Sequence, residues 1–414
     1  MSYKYINGYF AATACIRSIL SNKNYFVPKQ NSTYSENLLF GIAGGIGIGY
    51  ILWNYKSKNR KQLSLHFHNH WGKEIRTMTE LSKRIGLDIN ITETTSSRKA
   101  YNNLRVTLDK GENIIVWVDR NKLPYNFEPL DKYEKTPHPI VITDFNKETN
   151  IVTVDDLAKG GFELTMDELK IARRNIPSLK NCSMQIKGYK PIELLSKAVV
   201  QGIDDFIEKI STTSQSFSLP ALKKWAKLLA SPANKKSWSI VFADNTDLFT
   251  TLAKVYENTT LYCKDGHGLR YMYADFLDEA SLLLNITILK EIATVYRKAG
   301  DLWAKFANTS FPDTVAQFKQ TKQLLIQKHK ALNELGEASH TTLKTSSKQI
   351  QELYKECANK FPLTRKQKMD LFNEMAVGLM EIYQVELNAA NLLFNTINET
   401  TVQAFRAESV VAGV

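Results

Sequence analysis

The hydrophobic period changes near residue 180, and this constrains the fold more than any other feature of the chain. Up to about residue 175, short runs rich in β-branched residues alternate with runs whose apolar positions recur every three or four residues. That alternation is expected of helices packed on a sheet. From about residue 190 the pattern is helical, broken at Ser231-Pro232, at the Asp265 to Gly268 turn, at Pro312 and at Pro362. An α+β domain over residues 1–178 followed by an all-α helical domain over residues 190–414 is therefore expected, and 414 residues suffice for two such domains.

In the first part, Ala11 to Ser21 reads as a helix with Cys15, Ile16, Ile19 and Leu20 on one face. Thr77 to Ile85 and Ser97 to Leu108 read as helices closed by Gly86 and by Lys110-Gly111. Leu87 to Thr92, Ile114 to Val118, His138 to Thr143 and Ile151 to Val154 read as strands of a small antiparallel sheet, with a Pro-rich loop from Pro124 to Pro137. The uncharged run Leu38 to Trp53 carries GxxxG spacings at Gly41, Gly45 and Gly49, but it is shorter than the roughly 18 to 20 apolar residues of a membrane span. A buried glycine-rich turn is expected there, and no membrane partner. From Val315 to Ala407 three long amphipathic segments predict a bundle or coiled-coil-like hairpin, whose leucines form a core or a homo-oligomer seam.

The net charge of +12 points to an acidic partner: a nucleic acid, an anionic membrane or an acidic carrier protein. Four cysteines without a CxxC argue against a disulfide scaffold or structural zinc and fit a reducing compartment. Met1 to Leu20 has no signal-peptide pattern, so a cytoplasmic location is expected. Lys223, Lys224, Lys227, Lys235 and Lys236 surround Trp225 and Trp238. Without a nucleic-acid fold signature they read as a solvated face over core tryptophans, with Lys223, Lys224 and Lys227 as the docking residues for an acidic carrier. His66, His68 and His70 alternate as on one strand face, but no Cys, Asp or Glu with ligand spacing completes a metal site, so no metal is expected. His267 reads as a residue at the start of a helix rather than a catalyst.

One constellation could carry chemistry. Asn7-Gly8 precedes a helix that begins with small residues, His138 opens a strand, and Asp155-Asp156 ends another. A helix N-terminus activates a nucleophile placed on it, a strand-borne histidine can serve as its base, and an acid one strand away can orient that histidine. This is the layout of papain-like cysteine enzymes. On a period of two, Val152, Val154 and Asp156 share a face, which favours Asp156 over Asp155 for the site.

At these residues the chain resembles the butirosin-biosynthesis protein H family, whose N-terminal domain is similar to C39-like, papain-fold cysteine peptidases. The resemblance rests on NGYFAATACIRSIL (Asn7 to Leu20), YSENLLFGIAGGIGIGY (Tyr34 to Tyr50), ENIIVWVDRNKLPY (Glu112 to Tyr125), HPIVITDF (His138 to Phe145) and VDDLAKGGFELTMDELKIAR (Val154 to Arg173). GHGLRYMYADFLDEA (Gly266 to Ala280) looks like the accompanying helical domain, and the tail beyond about Val315 is not covered. The resemblance implies a catalytic His138, an Asp156 in a DPAxG-like DLAKGG, and a nucleophilic cysteine at the position that Ala11 occupies here. Cys15, one turn further in, reads as a packing residue. Either alanine stands in place of cysteine to hold a substrate, the favoured explanation because His138, Asp156 and Asn7 all fit, or the chain is a natural pseudoenzyme. Asn7 and the backbone N–H of residue 11 are the candidate oxyanion donors. The implied activity is amide formation in antibiotic biosynthesis. An acyl group passes from a carrier-protein thioester, on phosphopantetheine, through the cysteine to a primary amine, polyamine or aminoglycoside-like acceptor, with aromatic side chains near Trp117 and Tyr125 lining the channel. No cofactor is implied, and no GxxxxGK[ST] is present. A peptidase or thioester hydrolase of the same fold, or a non-catalytic small-molecule binder, are the alternatives.

Overall fold

The computed structural model describes residues 3–69, 74–126, 135–231, 233–263 and 265–411, with side chains up to 399. The first part runs α1 (Ala11–Asn22), α2 (Glu36–Ile42), β1 (Ile46–Tyr55), β2 (Arg60–His68), α3 (Glu74–Arg84), β3 (Leu87–Thr92), α4 (Ser97–Leu108), β4 (Ile114–Asp119), β5 (Pro137–Asn146), β6 (Ile151–Asp155), β7 (Phe162–Thr165), α5 (Met166–Arg174) and β8 (Ser183–Tyr189). Helices follow: α6 (Leu195–Ile210), α7 (Pro220–Ala230), α8 (Trp238–Val241), α9 (Leu248–Thr260), α10 (Arg270–Leu284), α11 (Ile288–Ser310), α12 (Ala316–Leu335), α13 (His340–Asn359) and α14 (Arg365–Val411). The class is α+β, as the change of period implies.

By packing the chain forms two compact units, one of residues 1–39, 74–193 and 312–362, the other of 40–73, 194–311 and 363–414. This division is discontinuous along the chain. It differs from a division by sequence at 178–190 in two stretches, since 40–73 counts with the helices and 312–362 with the sheet.

The sheet unit is built on six antiparallel strands in the order β3-β8-β4-β5-β6-β7. All six residues of β4, IIVWVD, are buried, as an unbroken apolar run requires of a central strand covered on both faces. On one face Val116, Val118, Ile140, Ile142, Val152 and Val154 share a core with Leu104 and Leu169 of the helices. α5 begins in a capping box, in which the Thr165 hydroxyl accepts from the Glu168 N–H and the Glu168 carboxylate accepts from the Thr165 N–H.

In the helical unit, β1 and β2 form a separate antiparallel ribbon. The glycine-rich run is thus not one turn. Its first residues finish α2, Gly44 and Gly45 turn with positive φ, and the rest is strand. A Cβ at Gly45 would stand 2.4 Å from the Tyr273 ring, so close approach as well as the left-handed backbone requires glycine there. Across the ribbon, Leu63, Leu65 and Phe67 are buried while Gln62, Ser64 and His66 are half-buried. Tyr50 stacks on Trp225 at 4.5 Å and accepts from the indole of Trp238.

Candidate functional site

His138 opens β5 and is buried; Asp156 directly follows β6, where the chain leaves the strand because Leu157 takes a left-handed φ of 61°. The two side chains meet, with His138 Nε2 2.6 Å from Asp156 Oδ1. The Tyr125 hydroxyl donates to the other carboxylate oxygen at 2.9 Å, and its ring stacks on Phe162 with centroids 4.1 Å apart. Burial pushes the Asp156 carboxyl up, but His138, Arg120 and the Tyr125 hydroxyl outweigh it and hold the group at about 2. The Tyr125 phenol, raised well above its ordinary range by burial and then by Asp156, stays a donor. An ionised carboxylate can only accept, so the imidazole proton sits on Nε2. Nδ1 has no hydrogen-bond partner among the described residues, and in the neutral imidazole it carries the lone pair. A neutral imidazole paired in this way can accept a proton at Nδ1.

The start of α1 is fastened to the same two strand ends. The Gly8 N–H donates to Leu157 O at 3.3 Å, and the Cys15 thiol lies 3.5 Å from Pro139 O. A Cβ on Gly8 would fall 2.3 Å from that of Ala14, so glycine is required for this approach. The buried Glu36 accepts the N–H groups of Tyr9 and Phe10, receives the Thr13 hydroxyl and pairs with Arg17 at 3.2 Å. A carboxylate there also complements the positive end of the helix.

Ala11 is the first residue of α1 and is half-buried, while Ala12 to Ile16 are buried. Its methyl group offers no nucleophile. Cys15 is fully enclosed, and burial, followed by the charges of Asp155, Asp156 and Glu36, pushes its thiol well above the ordinary range, so it is no thiolate. Asp155 is engaged elsewhere, accepting the Tyr3 hydroxyl at 2.8 Å. Asn7 lies just ahead of Gly8, its carbonyl receiving Arg17 Nη1 at 3.3 Å.

Beyond Asp156, the turn joining α12 to α13 clasps the chain. Lys159 N–H donates to Asn333 O, Glu337 N–H to Gly161 O, and the Glu337 carboxylate accepts Glu163 N–H. Leu332 and Leu343 complete the core around Tyr125 and Phe162. Sequence reasoning missed Glu36 and this clasp, because no local motif marks a residue acting across 26 or 174 positions. It named Tyr125 only as a channel liner. At 1% exposure Trp117 and Tyr125 are core residues and do not wall an open channel.

The remaining candidates are dispersed. Trp225 and Trp238 are core, Lys223 lies over the Tyr383 ring at 4.4 Å, Lys224 is half-buried and donates to Ser216, and Lys227 is exposed. His66 and His68 share a face of β2 with rings 5.8 Å apart, and burial, then His68 and Lys254, drives the His66 imidazole well below its ordinary range. No three ligating side chains gather to hold a metal among the described residues, and His70 lies outside them. His267 stacks on Tyr271 at the start of α10, whose first turn is capped by Asp265. No described helix is long and apolar enough to cross a membrane.

The profile of "Butirosin biosynthesis protein H, N-terminal" matches residues 13–157, taking in His138 and Asp156, and a domain of unknown function (DUF4872) matches residues 172–343. The chain belongs to the butirosin biosynthesis protein H-like family. The second match runs through α12 into α13, further than the resemblance read from the sequence, so the clasp turn lies within the family's domain. No curated protein matches the chain significantly.

Proposed function

We propose that this butirosin biosynthesis protein H-like chain has the scaffold of an amide-forming acyltransferase of antibiotic biosynthesis, with a papain-like mechanism and alanine at the nucleophile's position. The observation that carries this reading is the buried His138–Asp156 pair, with its proton fixed on Nε2 and its lone pair on Nδ1, beside strand ends that also anchor the start of α1. With cysteine at residue 11, Nδ1 takes the thiol proton and the thiolate attacks the carbonyl of a thioester on a carrier protein's phosphopantetheine. The C–S bond to the carrier breaks, its thiol leaves, and the acyl group rests on the enzyme sulfur. A primary amine then attacks, an amide C–N bond forms, and the cysteine is released. Asn7 and the N–H of residue 11 are suited to bind the oxyanion, and exclusion of water directs the acyl group to the amine. Such an exchange is downhill and belongs in the cytoplasm, where acyl carriers are loaded.

Ala11 itself favours a second reading, a binder that holds donor or acceptor without turnover. One experiment separates the two. Ala11→Cys, given an acyl-cysteamine thioester and a diamine or amino sugar, should yield amide in preference to free acid by mass spectrometry. Free acid alone would move the protein to the hydrolases, and no acyl-enzyme at all would leave the binder.

A further inference from the structure

The far end of the β1–β2 ribbon presents an ordered group of side chains that the fold does not consume. Trp53 and Tyr55 alternate on β1 and are 43% and 39% exposed, among the larger exposures of any aromatic residue described. They lie nearly parallel, with ring centroids 6.4 Å apart and planes at 17°. Both are held in place. Trp53 Nε1 donates to Ser64 across the ribbon at 3.1 Å, and the Arg60 guanidinium covers the Tyr55 ring at 4.9 Å. The tip between the strands carries Lys56 and Lys58, both exposed and without an ion pair among the described residues, whereas Lys61 is buried against Asp244.

Trp, Tyr and Arg are the side chains that dominate protein–protein binding energy, and rings already fixed in place lose little entropy on docking. Lysines at the rim add attraction to carboxylates and speed encounter more than they tighten the complex. We propose that this ribbon end is the docking surface for the acidic acyl-carrier protein, a partner that offers carboxylates beside apolar side chains on a helix; this rests on the acyl-transfer reading. A bilayer suits it less, because the exposed tip Lys56–Lys58 is polar and the aromatic residues precede it along β1. A nucleic acid suits it less, because one face of Tyr55 is already taken by Arg60 and only two lysines extend the basic track. The lysines of α7 are poorer candidates, since Lys223 and Lys224 are engaged with Tyr383 and Ser216.

The test uses the full chain with Ala11, which cannot turn over, and a fluorescent holo-acyl carrier protein as probe, read by anisotropy. Trp53→Ala and Tyr55→Ala should each weaken binding by roughly tenfold or more. Lys56→Glu with Lys58→Glu should slow association at low salt and lose the effect above about 0.15 M. Lys223→Glu with Lys227→Glu should change binding little. Circular dichroism should stay the same throughout, because the altered side chains are exposed. Unchanged binding in the ribbon variants, or failure of the chain to bind any holo-carrier, overturns the proposal. Binding to 30% phosphatidylserine vesicles or to single-stranded DNA through Trp53, with the carrier ignored, overturns it too. Transfer by Ala11→Cys from an acyl-cysteamine needs no carrier, so that assay judges the acyl-transfer reading independently.

Discussion

Each unit buries an ionic centre, and the two are finished differently. In the helical unit Arg270 is completely enclosed, and all five of its N–H donors have acceptors. Nε and Nη2 grip the Glu386 carboxylate at 2.8 and 2.9 Å, Nη2 also reaches Gly47 O, and Nη1 reaches Gly268 O and Phe67 O. The Trp303 indole adds a further donor to Glu386. In the sheet unit each oxygen of the Asp156 carboxylate has a donor, His138 on one and Tyr125 on the other, but His138 Nδ1 has no partner among the described residues. A buried polar cluster with every valence filled fixes a fold. One with a ring nitrogen left unpaired can also take up a proton from outside it.

The largest effects test that distinction. Glu386→Ala leaves a guanidinium buried without its partner and should cost about 3–5 kcal/mol of stability. Asp156→Asn keeps the volume and one acceptor and should cost less, about 1–2 kcal/mol. In the Ala11→Cys background the same Asn should lower the thiol's reactivity with iodoacetamide near neutral pH by roughly a hundredfold, because the amide no longer fixes the Nδ1 lone pair. Urea unfolding of the two variants and their labelling rates decide the matter. A stability loss at Asp156 equal to that at Glu386, with labelling unchanged, would make the sheet centre purely structural.

A smaller effect on labelling is expected at the anchor of α1. Gly8→Ala must move either Ala14 or Leu157, the contacts its Cβ would make at 2.3 and 3.0 Å. The cost should be about 1–3 kcal/mol, as for other overpacked sites. Since Gly8 ties residue 11 to the strand end that bears Asp156, Ala11→Cys labelling should fall with it, by roughly tenfold, whereas Cys15 should stay unlabelled in both. Loss of stability with unaltered labelling would separate the anchor from the site.

What the sequence disclosed follows from the range of the forces involved. α4 and β3 have the bounds that their period and flanking turns predict, because capping, turn chemistry and alternation act within a few residues. The pairing of Asp156 rather than Asp155 with His138 was legible for the same reason, since the faces of a strand alternate. β1 was not, because Gly47 and Gly49 read locally as turn and become strand only when β2 supplies a partner. β2 could have been found from the alternation of Leu63, Leu65 and Phe67. Glu36 and Glu337 act on backbone N–H groups far away in sequence, and nothing near them in the chain distinguishes them from other surface carboxylates.

The smallest effect is the most specific to the sheet centre, and it appears in acid. Asp156 titrates at about 2 in the folded protein against an ordinary 3.8, so its folded value is depressed. A depressed carboxyl stabilises the fold fully above its unfolded pKa, and that contribution fades as pH falls through the folded one. Asparagine at 156 cannot titrate. The parent should therefore exceed Asp156→Asn in urea-unfolding free energy above about pH 4, and the margin should narrow between about pH 4 and pH 2 as His138 loses its anionic partner. Tyr125→Phe removes one of the donors that hold the carboxyl down, so in that variant the narrowing should begin at higher pH. A margin that persists unchanged to pH 2 would mean that Asp156 is not held ionised by His138 and Tyr125, and the fixed tautomer on which the base depends would go with it.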